Sequence, residues 1–386
     1  MNLTLLVPRT SHSAIEERFG SWQSELLLKA DHPEAAVHHY EPSWTGEKIL
    51  EDVETDWVLA LTDPTALATN QIGASLLSLL VDESIDAAIP VSNESANDHQ
   101  RQAPLEPYLT LRQLELVAGA MKGRPGKPAM IEWDGSNPGL FAASAEILDF
   151  PFTLDRILKG RRVAVVPHAF LHRYTSHRGQ GRPDLLERIP LEAKTILEFG
   201  CGEGNFGAAL KERQRCSITG IELDPVAASL AERRLDTVLT GDARDVIYKI
   251  RQQFDWIVGG DILEHIDDPW AFLGDLRHVA EPGGHLLLSL PNIANWAVID
   301  DLLHGRFDYT YLGILCAGHL RHFTRESIKQ MLTISGWELV SIEPQEKILT
   351  KRYHQLADRL DACGVDLQRE DLEAPGWYVT ARNKAY

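Results

Sequence analysis

Short apolar runs alternate with longer stretches whose apolar positions recur every three or four residues, the signature of strands alternating with amphipathic helices. In the first part of the chain, Leu3 to Val7, Trp57 to Leu61, Ala87 to Val91 and Val163 to Val166 read as strands, and Ser13 to Ala30 and Asn70 to Val81 as helices. That order predicts an α/β layer on a mostly parallel sheet. Tyr174 to Pro183 then offers Arg, Gly, Ser and His with almost no apolar content, as an exposed linker does. The pattern restarts more regularly beyond it: Thr195 to Phe199, Ser217 to Ile221, Thr237 to Leu239, Trp256 to Val258 and His285 to Ser289 predict a doubly wound, Rossmann-like sheet. Glu338 to Ile342 and Trp377 to Ala381 are two later strands, separated by a helix over Arg352 to Ala362. The expected domains are therefore residues 1–176 and 188–386, with a linker over 177–187.

With 386 residues, 44% of them hydrophobic, the chain is long enough for two cores. A net charge of -18 repels phosphate backbones and anionic lipid at long range, so no nucleic-acid partner and no membrane insertion are expected. The spacings of Cys201, Cys216, Cys316 and Cys363 fit neither a zinc motif nor a disulfide framework, which suggests reduced thiols, a cytoplasmic location and no metal. Leu3 to Val7 lacks a basic leader and ends at Pro8, unlike a signal peptide.

The sharpest chemical signal is Ile196-Leu197-Glu198-Phe199-Gly200-Cys201-Gly202-Glu203-Gly204-Asn205-Phe206-Gly207, a strand that ends in glycines and enters a helix. Glycines there let a ligand approach the backbone. Gly202, Gly204 and Gly207 also satisfy a nicotinamide dinucleotide spacing, so an NAD-dependent oxidoreductase remains open from this loop alone. Glu222, followed by Leu223, ends the next strand, where a carboxylate can accept both hydroxyls of a ribose. Asp242 and Ala243 follow the third strand, placed to accept from an adenine amino group and donate to its ring. Gly260-Asp261-Ile262-Leu263-Glu264-His265 follows the fourth.

In this combination the chain from Leu191 onward resembles the class I S-adenosylmethionine-dependent methyltransferases, specifically the bacterial branch with a Leu-Glu-His motif, which includes quinone and polysaccharide-cluster O-methyltransferases. The resemblance implies that Glu198, Gly200, Cys201, Gly202 and Gly204 hold the methionine part of the donor. It also implies Glu222 and Leu223 at the ribose, Asp242 and Ala243 at the adenine, and Asp261 or the Gly260 carbonyl at the ammonium. S-adenosylhomocysteine would be the product. His265 and His319 are the candidate bases for an acceptor hydroxyl. The alternative is that His265 caps or packs a helix and that His319 only hydrogen-bonds its loop. Asn292 to Thr324, with Trp296, Phe307, Tyr309, Tyr311, His319 and Arg321, is expected to form the acceptor side.

Thr55 to Pro64 and Gly160 to His172 resemble segments of GT-A glycosyltransferases, which deliver an acidic residue and a closing histidine to a metal and a nucleotide sugar. Asp63 lacks a second aspartate two residues on, so a degenerate domain is expected. The sequence thus points to O-methylation of a saccharide or glycoconjugate precursor, as in polysaccharide biosynthesis. A quinone-type O-methyltransferase, a bifunctional glycosyltransferase and methyltransferase, and a non-catalytic binding protein are the alternatives. Oligomeric state is left open.

Overall fold

The computed structural model describes residues 2–9, 15–40, 55–81, 84–123, 126–148, 153–174 and 181–384. The chain divides into two compact units, Met1–Thr175 with Arg306–Gly318, and Ser176–Gly305 with His319–Tyr386. The sequence boundary after residue 176 lies one residue from this division. The insertion of Arg306–Gly318 into the first unit has no counterpart in the expected contiguous second domain.

The first unit is built on β1 (Leu3–Pro8), β2 (Ala36–Tyr40), β3 (Trp57–Leu61), β4 (Ala66–Leu67), β5 (Ala87–Ser92), β6 (Ala129–Ile131), β7 (Leu140–Ser144) and β8 (Val163–Arg173). Their order is β2-β1-β3-β7-β5-β8-β4, with β6 also paired to β8. The sheet is mixed rather than mostly parallel, because β7 runs antiparallel to both β3 and β5. Leu140-Phe141-Ala142-Ala143 is fully buried on both faces, so it carries no alternation to mark it as a strand. The two faces of this sheet support separate apolar clusters, one around Phe141 and Phe170 and one around Leu59 and Leu171.

The second unit contains β9 (Thr195–Phe199), β10 (Ser217–Glu222), β11 (Thr237–Thr240), β12 (Phe254–Gly260), β13 (Ala280–Pro291), β14 (Trp337–Pro344) and β15 (Gly376–Asn383), in the order β11-β10-β9-β12-β13-β15-β14. The first five are parallel, whereas β15 runs antiparallel to both β13 and β14. Strand order reverses between β9 and β12, and ligands of such sheets bind beyond the carboxyl ends at that point. Glu281 to Gly284 lies inside β13, where pairing with β12 skips from Ala280 to His285. Pro183–Leu186, within the expected linker, is a helical turn whose Leu185 is buried in the core of this unit; residues 177–180 lie outside the described residues.

Along β9, Leu197 and Phe199 enter the cluster on one face of the sheet and Ile196 the cluster on the other. Alternation therefore places Glu198 on the same face as Ile196, between the apolar residues Leu197 and Phe199 in sequence. Its carboxylate reaches the switch point already stripped of most of its water.

Candidate active site

The loop after β9 is shaped by backbone that favours glycine: Gly200, Gly202 and Gly204 have φ of 72°, 54° and 78°. Gly200 N and Cys201 N donate to Ile221 O at 2.8 and 3.0 Å, which ties the loop to the end of β10. A side chain at Gly200 would run into Ile262, 2.4 Å from the position of its Cβ. Gly204 caps the helix Asn205–Arg213. Cys201 is buried, and burial with the neighbouring carboxylates pushes its thiol up, so it is a packing residue held neutral.

Glu222 closes the other side of this loop. Its carboxylate accepts from Gly202 N at 2.7 Å and from Asp224 N at 3.0 Å. Each oxygen keeps a lone pair beyond these bonds, which suits a pair of ribose hydroxyls. Leu223 and Val226, beside it, are exposed apolar side chains. Asp242 caps Ala243–Val246 by accepting from Arg244 N, and the Arg244 side chain also grips it, with Nε 3.0 Å from Oδ1. This pairing holds the Asp242 carboxyl below its usual range and occupies much of its accepting capacity, a competitor for the expected adenine contact that the sequence did not reveal.

Glu198 is 8% exposed, and its Oε2 has no hydrogen-bond partner. Burial, followed by the charge of Glu222, raises its pKa to about 8. A buried carboxylate with an unfilled oxygen facing a glycine loop fits the ammonium of an amino acid moiety. By that observation the residues present suit S-adenosylmethionine.

Two residues outside the expected constellation organise the far side. Arg182, assigned to the linker by its polar surroundings, is nearly buried and donates to Asp261 Oδ2 at 2.8 Å, Asp184 Oδ2 at 2.8 Å and Ser289 Oγ at 3.0 Å. Ser289 in turn donates to Asp261 Oδ1 at 2.8 Å. Gly260, at the end of β12, leaves room for this guanidinium, since a Cβ there would lie 2.9 Å from Arg182 Nη1.

Glu264 is the second. It sits in the turn Leu263–His265, is 1% exposed, and neither of its carboxylate oxygens has a hydrogen-bond partner. Burial drives its pKa well above the ordinary value, with Asp261 adding to the effect. Leu320 N and Arg321 N donate to Glu264 O at 2.9 and 3.1 Å, which locks His319 over this turn. His319 Nε2 lies 3.8 Å from Glu264 Oε1, and the rings of His265 and His319 meet edge to face at 4.9 Å.

The expected acceptor segment is split. Trp296 is 1% exposed and donates to Ile348 O at 2.9 Å, so it is a core residue rather than a stacking platform. Phe307, Tyr309 and Tyr311 fold with the first unit, where Tyr311 packs on Tyr174 with ring centroids 5.5 Å apart and Gln23 donates to Tyr309 O. Of the named side chains, Trp296, His319 and Arg321 stay with the second unit. In the first unit, Asp63 Oδ1 accepts from Thr65 N and Thr65 Oγ1 at 2.9 and 2.6 Å, while Oδ2 lies 3.6 Å from Arg173 Nε.

Residues 172–342 match the family model described as a methyltransferase domain. The ubiquinone biosynthesis O-methyltransferase of Xylella fastidiosa (strain 9a5c) is 33% identical over 112 residues, covering 28% of this chain and 45% of that protein. The mitochondrial ubiquinone biosynthesis O-methyltransferase of Schizosaccharomyces pombe is 31% identical over 110 residues, 27% of this chain and 40% of that protein. The chain thus spans just under half the length of the curated relatives it matches. Among solved structures, a SAM-dependent methyltransferase from Archaeoglobus fulgidus aligns over 53% of this chain and 94% of its own, at 17% identity and a TM-score of 0.39. The match to the methyltransferase-domain model falls largely within the second unit. Among the described residues no helix is long and apolar enough to cross a membrane.

Proposed function

We propose that the chain is an O-methyltransferase that takes its methyl group from S-adenosylmethionine and gives it to a hydroxyl of a small-molecule or saccharide acceptor. The observation that carries this reading is Glu198, a buried carboxylate with an unfilled oxygen beside a glycine loop at the strand switch point. When bound, the donor supplies an electrophilic methyl on a sulfonium. Glu198 holds the ammonium end, the backbone of Gly200 to Gly204 admits the methionine moiety, and Glu222 takes the ribose hydroxyls. Leu223 lies beside Glu222 at the ribose, Ala243 is at the adenine, and Asp242 reaches its amino group with the capacity that Arg244 leaves. Asp261, fixed by Arg182 and Ser289, or the Gly260 carbonyl beside it would help hold the ammonium. Positioning supplies most of the rate, because charge disappears from sulfur as the bond forms.

The names of the curated relatives favour a phenolic, quinone-type acceptor. The first unit favours a saccharide, since its mixed sheet with one reversed central strand, β7, is compatible with a GT-A-like domain. Asp63 is already satisfied by Thr65 and Arg173, which supports a degenerate domain over a second transferase. The test is calorimetry with S-adenosylhomocysteine and with NAD, followed by mass spectrometry of catechol and saccharide mixtures incubated with labelled donor. Binding of S-adenosylhomocysteine with a mass gain on a hydroxyl is the expected result; NAD binding without S-adenosylhomocysteine binding overturns the reading.

A further inference from the structure

We propose that Arg244 is a specificity-determining residue of the donor site: it holds the Asp242 carboxylate in the free protein and gives it up to the adenine amino group by moving onto Asp267. The inference rests on the function proposed above, with Asp242 as the adenine partner. Asp242 caps the helical turn Ala243–Val246, and its Oδ1 accepts from Arg244 N at 2.9 Å. The Arg244 side chain folds back over the cap with one edge of its guanidinium, Nε lying 3.0 Å from Oδ1 and Nη2 2.6 Å from Oδ2. Four contacts from Arg244 thus fall on the two oxygens, the weakest of them Nε to Oδ2 at 3.2 Å. An amino group that donates to Oδ2 competes with the guanidinium for it.

Asp267 gives the displaced guanidinium a second partner. Arg244 Nη1, the nitrogen not spent on Asp242, already donates to Asp267 Oδ1. Asp267 is held in place, since its Oδ1 also accepts from Asp268 N at 2.9 Å and its carbonyl accepts from Arg321 Nη2. The hydrogen bonds from Arg244 hold both carboxyls below their usual range, so both are ionised at neutral pH. Release of one leaves the guanidinium paired with the other, and the exchange strands no charge. The Arg244 side chain is 44% exposed, and ion pairs this open to water are weak enough to exchange. Arg182, 12% exposed between Asp184 and Asp261, has no such freedom.

This competition sets how sharply the site reads its base. The amino group distinguishes adenine from a base that carries an oxo group in the same place, and its bond to Asp242 is worth less by whatever moving Arg244 costs. Removing Arg244 should therefore raise both affinity and selectivity for adenine. An Arg244 that only oriented Asp242 toward the base would have the opposite sign, because its loss would weaken binding.

The test is calorimetry on the full chain with S-adenosylhomocysteine and with S-inosylhomocysteine, in which an oxo group replaces the amino group. Arg244→Ala should bind S-adenosylhomocysteine about two- to fivefold more tightly than the parent, the range that an exposed ion pair supplies. It should bind S-inosylhomocysteine no more tightly, so the ratio of the two constants rises. Adding Asp242→Ala to Arg244→Ala should erase the gain, and Asp267→Ala alone, which removes the second partner, should produce none. Melting temperatures within a few degrees of the parent show that the variants are folded. Unchanged or weaker S-adenosylhomocysteine binding in Arg244→Ala, or equal tightening for both compounds, overturns the exchange and leaves the functional reading standing. A parent protein that binds neither compound overturns the functional reading, and the exchange with it.

Discussion

Asp261 accepts from the Arg182 guanidinium at 2.8 Å, and both residues hold left-handed backbone, with φ of 53° and 45°. Neither residue is glycine, so each conformation costs about 1 kcal/mol and persists because the ion pair and Ser289 over-determine it.

Asp261→Ala should therefore destabilise the protein by about 2–4 kcal/mol, since it leaves a nearly buried guanidinium short of one partner and keeps the strained backbone. Asp261→Gly loses the same pair but relaxes the backbone, so it should be about 1 kcal/mol more stable than Asp261→Ala. Chemical denaturation of the two variants checks the order. Equal stability would show that the left-handed conformation is not strained here.

Glu198 makes donor binding pH-dependent. Its pKa of about 8 in the free protein exceeds the ordinary carboxyl value, so an unfolded chain releases this proton first and the group's contribution to stability falls as pH rises from about 4.5 to about 8. Pairing with an ammonium reverses the shift. Binding of S-adenosylhomocysteine at pH 6.5 should then release about one proton, and Kd should weaken toward about tenfold per pH unit below 8. Calorimetry in two buffers of different ionisation enthalpy counts the proton. Glu198→Gln should abolish the release and raise the melting temperature of the free protein at pH 8.

Glu222→Ala should lower S-adenosylhomocysteine affinity by about 1–3 kcal/mol, because it removes the ribose acceptor and also strands Gly202 N and Asp224 N. Unchanged affinity by calorimetry would remove Glu222 from the site. Gly200→Val is a poorer probe than its position in the loop suggests, since the collision with Ile262 should unfold the loop as well as exclude the donor.

The legible parts of this protein are those encoded locally. Thr195–Phe199 and Trp57–Leu61 have the bounds read from their apolar runs, because a strand buried on both faces needs an unbroken run and has one. Leu140–Ser144 is just as buried, but its short, alanine-rich run resembles a helix as much as a strand, and β2 is largely exposed and so carries little apolar pattern. The ends of β9, β10, β11 and β12 are candidate site positions from the sequence because loops after parallel strands converge. Arg182 is not, since its partners Asp261 and Ser289 lie 79 and 107 residues further on. For the same reason Glu264 read as one letter of a motif: its burial depends on the segment from His319 to Arg321 folding back over it.

The first unit supplies the last prediction. Asp63 spends one carboxylate oxygen on the turn at Thr65, and its other oxygen faces Arg173, whose Nε is buried with no hydrogen-bond partner. Removing the acid should therefore cost about 1–2 kcal/mol of stability, through the lost turn and an uncompensated guanidinium. A divalent ion would have to compete with that guanidinium for a single carboxylate, a weak ligand set for a hard cation. Asp63→Ala should accordingly leave methyl transfer to a supplied acceptor within about twofold, well short of the 1.4 kcal/mol that a tenfold change represents. The parent protein should show no Mn²⁺-dependent hydrolysis of nucleotide sugars by phosphate release. Mn²⁺-dependent turnover that vanishes in Asp63→Ala would show instead that the first unit is a working transferase and that Arg173 yields to the metal.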